Sequence, residues 1–160
     1  MRDNQNPVNG RVLALDLGKK RIGLALSDPL GITAQGLPTL QRTTLRADVA
    51  ELDRIAAEHD VSLILMGLPL HMDGREGRQV QYTREFAEYF TGRTGRAVQF
   101  WDERMTSIEA GRVLRDSGIS IAKRAKAVDR LSAQILLESY LSTGEPTIEE
   151  TDDEESTSGY

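Results

Sequence analysis

The chain has 160 residues, 39% of them hydrophobic and 28% charged, with a net charge of −5, which is the size and balance of one soluble globular domain able to bury a core without staples. No apolar run approaches the ~20 residues of a membrane span, and the opening MRDNQNPVNG lacks the apolar stretch of a signal peptide, so a cytoplasmic location is expected. The absence of cysteine excludes a disulfide framework and a thiolate metal site, so any metal must sit on oxygen or imidazole.

The acids are unevenly spread. Residues 145–160 hold seven Asp or Glu and no Lys or Arg, which leaves residues 1–144 mildly basic at +2. Such a tail cannot bury enough apolar surface to offset its chain entropy and is expected to be disordered, either as a solubilising segment or as a competitor of phosphate for basic surface. The expected organisation is a flexible N-terminus over 1–10, one folded domain over 11–144 and the acidic tail.

Residues 11–17 (RVLALDL) and 22–27 (IGLALS) are apolar on both alternating faces, the pattern of strands buried on both sides of a sheet. The four residues Gly18-Lys19-Lys20-Arg21 between them predict an antiparallel hairpin, with Gly18 supplying the positive φ that such a turn often needs. A third strand is predicted near Thr33–Thr39, completing a meander. From Thr44 the period becomes helical, with Val49, Leu52, Ile55 and Ala56 on one face and Asp48, Glu51, Asp53 and Glu58 pointing elsewhere. Residues 61–66 (VSLILM) read as a buried strand stopped at Gly67-Leu68-Pro69. A helix near Gly77–Gly92 turns Val80, Thr83, Ala87 and Phe90 inward, and a short strand follows at Val98–Trp101. Thr106-Ser107-Ile108-Glu109 is a capping-box sequence for a third helix, ended by Gly118. The final helix, about Ala127–Ser142, is apolar nearly all round and is expected to be largely buried. The order predicts an α/β fold with a mixed sheet, an antiparallel meander followed by right-handed crossovers, flanked by helices.

Three acidic positions draw attention. Asp16 interrupts an apolar strand at its exit, where burying a carboxylate calls for a cationic partner, either a metal or Lys19, Lys20 or Arg21 in the adjoining turn. Asp102 and Glu103 follow another strand, and as adjacent residues they point in different directions; either also has an ordinary use in pairing with Arg104. Asp129 lies one turn into the predicted last helix, where the helix dipole favours an acid without any catalysis. Carboxylates from two strand ends and a helix could converge on Mg2+ or Mn2+, hard cations that take oxygen ligands. Two such ions about 3.5–4 Å apart support in-line displacement at a phosphodiester with no Cys, Ser or His nucleophile. The strand-end loop Gly67–Gly74, flanked by Arg75 and Arg78, opens toward a helix whose amides could receive a phosphate, with His71 as a further polar group. The few aromatics offer no base-stacking platform, so backbone charge and shape are expected to dominate binding.

Four segments in order, LALDLGKKRIGLALSD (13–28), LILMGLPLHMDGREG (63–77), WDERMTSIEA (101–110) and VDRLSAQILLESYL (128–141), resemble the YqgF family, described both as pre-16S rRNA nucleases and as Holliday junction resolvase-like proteins. The resemblance implies an RNase H-like fold with a mixed five-stranded sheet and a hydrolase of phosphodiester bonds acting in maturation of the 5′ end of pre-16S rRNA. It matches Asp16 to the first-strand acid, the Asp102-Glu103 pair to the second acidic site, with Glu103 preferred, and Asp129 to the acid on the last helix. Asp16, Glu103 and Asp129 would hold the metal, and Lys19, Lys20, Arg21, Arg104, His71 and Arg75 would contact the nucleic acid. Two departures are visible: His71 stands where the family usually has Asn before Met-Asp-Gly, and Met-Thr-Ser replaces the more usual Leu-Ser-Thr after Arg104. Competing readings are a junction resolvase or DNA-repair nuclease, which would need two active sites related by a twofold axis, a non-catalytic rRNA-binding assembly factor, and an ATPase. The last is disfavoured because one lobe of this size cannot enclose a nucleotide.

Overall fold

The computed structural model describes residues 10–70, 73–102 and 121–143, without the side chains of 121–129 and 143. The described elements are β1 (Arg11–Leu17), β2 (Arg21–Ser27), β3 (Ala34–Gln41), α1 (Leu45–Glu58), β4 (Val61–Leu68), α2 (Arg78–Thr94), β5 (Val98–Asp102) and α3 (Ile121–Thr143). The strands form one five-stranded sheet in the order β3-β2-β1-β4-β5. β1 pairs antiparallel with β2 and parallel with β4, and β4 pairs parallel with β5, so the predicted mixed sheet is observed. The expected helix at 106–118, the N-terminal segment and the acidic tail lie outside the described residues.

The alternation in β1 and β2 builds two unlike faces. Leu13, Leu15, Leu17, Ile22, Leu24 and Leu26 share a core with Val49, Leu52 and Ala56 of α1 and Phe86 and Phe90 of α2. The opposite face presents the small Ala14 and Ala25, with Leu65, to Ala133, Leu136 and Leu137 of α3. Small residues let this helix come close. At Gly36 in β3 a Cβ would lie 2.6 Å from Arg130 Cγ, so the missing side chain is what admits the stem of Arg130.

Several boundaries differ from expectation, each for a local reason. β3 runs through Pro38 to Gln41, which is tolerable because β3 is an edge strand and Pro38 is exposed. The register slips there: Ile22 faces Leu40 but Leu24 faces Leu37, a bulge opposite Gly23. α2 continues past Gly92 and stops at Gly95, whose φ of 76° forms the left-handed cap. Gly18 is not among the positive-φ residues; it is required instead because a Cβ would meet the Arg21 carbonyl oxygen at 2.7 Å. Asp48, expected to point away from the core, is 2% exposed. α3 begins at Ile121 rather than near Ala127, since Ile121–Lys126 holds good helix formers and no breaker. Position 129 is therefore more than two turns into the helix, and the dipole account of its acid does not apply.

Candidate active site

Three strands, β1, β4 and β5, run parallel and finish at one edge of the sheet, next to the turn that leads from β1 into β2. Carboxyl ends of parallel strands are where open α/β sheets gather their sites, because the chain leaves the sheet there and side chains meet solvent. Leu15 pairs with Met66 and Gly67 with Trp101, so Asp16, Gly67 and Trp101 form one row across the sheet. Asp16 is two residues after Ala14 and so faces the α3 side, at the rim, half-buried and opposite Gly23.

The second expected acid divides by the same alternation. Trp101 packs with the α3 cluster and Phe100 with the opposite core, so Asp102 falls on the face away from Asp16. Trp101 ties β5 to α3 directly: its indole N–H donates to Ser139 Oγ at 3.2 Å, and its ring meets Tyr140 edge-on with centroids 5.4 Å apart. Glu103, Arg104 and His71 lie outside the described residues, as does the side chain of Asp129.

The course of α3 is set at its later turns. Glu138, Leu141 and Ser142 line a cleft with Gly31, Ile32, Thr33 and Ala34 at the β2–β3 turn, the end of the sheet remote from Asp16. From there the helix runs back over Gly36, where Arg130 and Gln134 lie against the strand. Gly36 pairs with Ala25, which lies opposite Ala14, so Arg130 packs on the edge strand two residues below the level of Asp16, while Ser139 and Tyr140 meet Trp101 on β5; the helix crosses the sheet obliquely.

The turn after β1 is held from beneath by a residue that sequence reasoning missed. Gly18 N–H donates to the Arg21 carbonyl at 3.0 Å, closing the turn, and Lys19 and Lys20 stand exposed on it. The Arg42 side chain donates to the Gly18 carbonyl at 3.0 Å and its main-chain N–H donates to the Lys20 carbonyl at 2.9 Å. The same guanidinium binds Asp48 Oδ2 at 2.9 Å and the Tyr82 hydroxyl, and it lies 5.3 Å from the Phe86 ring centroid. Asp48 Oδ1 in turn accepts from Thr43 N–H at 3.0 Å. A signal was available: Asp48, Leu52 and Ala56 are spaced i, i+4, i+8, which puts the acid on the buried stripe of α1.

The loop after β4 is shaped by its own turn chemistry. Leu70 N–H donates to the Leu68 carbonyl at 2.9 Å, and Gly74 takes a φ of 90°. Arg75, 70% exposed, is paired with Asp73 at 2.8 Å, so its charge is partly matched within the loop. Glu76 pairs with Arg84 at 2.7 Å, and that hydrogen bond holds the Glu76 carboxyl below its ordinary range. Among the described residues no group of three metal-binding side chains comes together, because two of the three expected ligands fall outside them.

A mixed sheet in the order β3-β2-β1-β4-β5, covered by helices on both faces, is an RNase H-like fold, here with an acid at the exit of its central strand. Solved structures agree on the fold. RuvC from T. thermophilus in complex with Holliday junction substrate matches with a TM-score of 0.53 at 14% identity, over 86% of this chain and 99% of the other. The Fowlpox virus resolvase with Holliday junction DNA matches with a TM-score of 0.51 at 13% identity, over 83% and 97%. By sequence, the chain belongs to the RuvX family, described as "RuvX: Holliday junction resolvase", whose match spans residues 10–143 and which is a family of nucleases that hydrolyse phosphodiester bonds. A Koribacter versatilis protein named "Putative pre-16S rRNA nuclease" is 51% identical over 134 residues, 84% of this chain and 88% of that one. A Myxococcus xanthus protein of the same name is 43% identical over 136 residues, 85% and 90% of the two chains.

Proposed function

We propose that this chain is a divalent-metal-dependent nuclease of the cytoplasm that cuts structured RNA, with precursor 16S rRNA as its substrate, and that Asp16, Glu103 and Asp129 are its metal ligands. The carrying observation is the position of Asp16: it stands at the rim of the central strand, on the face crossed by the helix that bears residue 129. Glu103 is preferred to Asp102 because alternation turns Asp102 to the opposite face. The names of the relatives support the RNA substrate.

The donor set fits a hard cation, since a half-buried carboxylate at a strand end supplies anionic oxygen and the chain has no thiolate to offer. Mg2+ or Mn2+, when bound, lowers the pKa of water and neutralises charge building on the phosphate oxygens. The chain's own residues position the substrate. Lys19, Lys20 and Arg21, in and next to the exposed turn beside Asp16, attract the backbone; Arg104, His71 and Arg75 would hold it on the β4 and β5 side. Phosphate contacts of this kind fix register without reading bases. Replacing Asp16 by Asn removes the charge at nearly constant shape. Cleavage of an RNA carrying the precursor end is expected to be lost while binding persists; equal activity in mutant and wild type would refute the metal-ligand role.

The family description favours a second reading, cleavage of a four-way DNA junction. Symmetric resolution needs two active sites related by a twofold axis, so a dimer that cuts junction DNA faster than structured RNA would establish it.

A further inference from the structure

We infer that Arg42 is a positioning residue for nucleic-acid binding, acting through the Gly18–Lys20 turn, an inference that rests on reading the turn's lysines as phosphate contacts. Two of the three carbonyls of this turn accept hydrogen bonds from Arg42, one from its guanidinium at 3.0 Å and one from its main chain at 2.9 Å. The guanidinium itself is 10% exposed and its Asp48 partner 3%, so neither reaches a ligand lying across the sheet rim. What they reach is the inner side of the turn, whose outer side presents Lys19 and Lys20.

The connections of Arg42 explain why a turn of three residues needs so much beneath it. Two adjacent lysines repel one another, and each flexible stem loses rotamer freedom when it engages a phosphate. A turn free to move would add its own ordering cost to that loss, whereas one already fixed does not. Arg42 fixes it against three separate elements at once: Asp48 belongs to α1, Tyr82 and Phe86 belong to α2, and Arg42 itself follows β3. Asp48 also offsets the guanidinium charge, so the positive field at the rim comes from the lysines and not from the residue that holds them. The planar fork suits this task, since one group must serve Asp48, the Gly18 carbonyl and the Tyr82 hydroxyl in different directions; a lysine ammonium on a flexible stem cannot hold all three.

The test is a thermodynamic cycle on the full chain. Binding of a fluorescein-labelled RNA hairpin is measured over a range of salt, with divalent metal omitted, for wild type, R42K, K19A/K20A and the triple variant; thermal melts establish that each is folded. K19A/K20A is expected to bind about tenfold more weakly, with a salt slope reduced by roughly 1.5, the value for two lost phosphate contacts. R42K is expected to lose most of that affinity and slope, and to add nothing in the K19A/K20A background, because both changes remove one and the same contact. If R42K does not fold, Tyr82→Phe decides, as it deletes one hydrogen bond to Arg42: about threefold weaker binding is expected, again absent without the lysines. Folded variants at position 42 or 82 that bind as wild type, or whose losses add fully to those of K19A/K20A, overturn the inference. Wild-type binding by K19A/K20A overturns it together with the phosphate reading of the turn, whereas cleavage by Asp16→Asn at the wild-type rate refutes the metal-ligand reading alone.

Discussion

Trp101 and Ser139 are joined by a hydrogen bond of 3.2 Å that bridges the last described strand and the last helix, elements 38 residues apart in sequence. Both lie on the face that carries Asp16, so this bond ties β5 to α3 on the side of the proposed site. Trp101→Phe keeps an aromatic ring but loses the indole N–H, its bond and some packing volume. It is expected to cost about 1–2 kcal/mol, and Ser139→Ala about 1 kcal/mol, with the double variant costing less than the sum. Urea unfolding followed by far-UV circular dichroism reads all three; full additivity would mean that the bond contributes nothing.

The Arg42–Asp48 pair sets a different scale. Removing one member of a buried ion pair leaves an uncompensated charge, which costs about 3–5 kcal/mol, while replacing both by apolar residues costs far less. Asp48→Ala is therefore expected to lower the melting temperature sharply, and R42M/D48L to recover only part of the loss, since the Gly18 carbonyl, the Tyr82 hydroxyl and the Thr43 N–H still lack their partners. The prediction fails if Asp48→Ala melts within a degree or two of wild type.

How much of this was readable beforehand depends on the range of the interaction. The two-sided burial of β1 and β2, the amphipathic stripe of α1, and the inward Val80, Thr83, Ala87 and Phe90 follow from local periodicity, and all are seen. Sequence puts the start of α3 near Ala127 because the apolar pattern starts only there, while the turns before it are helical by propensity and leave no stripe to read. Sequence turns Asp48 away from the core because a charged side chain with no visible partner is by default solvated. Its real partner precedes the helix, and only the folded hairpin, with Gly18 at 3.0 Å from the Arg42 side chain, reveals why the pair is buried. For the site, Asp16 could be put at a strand end from sequence, and alternation in β5 separates Asp102 from it; that choice required knowing which side of the sheet Trp101 occupies.

Gly18→Ala tests the turn by another route. A Cβ there would lie 2.7 Å from the Arg21 carbonyl oxygen, a main-chain atom that cannot swing aside. A loss of about 1–2 kcal/mol in stability is expected, together with weaker RNA binding, by denaturation and by fluorescence anisotropy. Unchanged values of both would mean that the turn tolerates an alternative geometry.

Acid should loosen the β2–β3 turn before the rest of the sheet. Asp28 accepts from Thr33 N–H at 2.9 Å and from Ile32 N–H at 2.7 Å, and these bonds, the one to Thr33 foremost, hold its carboxyl below the usual carboxylate range. A carboxyl depressed in the folded state stabilises it above the unfolded pKa, and that contribution is lost as pH falls through the folded value. Amide exchange at Ile32 and Thr33 is therefore expected to accelerate, relative to β1 amides and beyond the ordinary pH dependence of exchange, as pH drops below the Asp range. Asp28→Asn should abolish the difference. A parallel pH response at Thr33 and at β1 would contradict this.

The smallness of Ala14 and Ala25 has a consequence for how the protein comes into being. Among the described residues their side of the sheet is covered by α3, which follows every strand in the chain, so a nascent chain that has paired its strands before α3 is made still carries a bare apolar stripe. Closure of that face then waits for α3. A chain interrupted before α3 is therefore expected to present Ala14 and Ala25 to solvent.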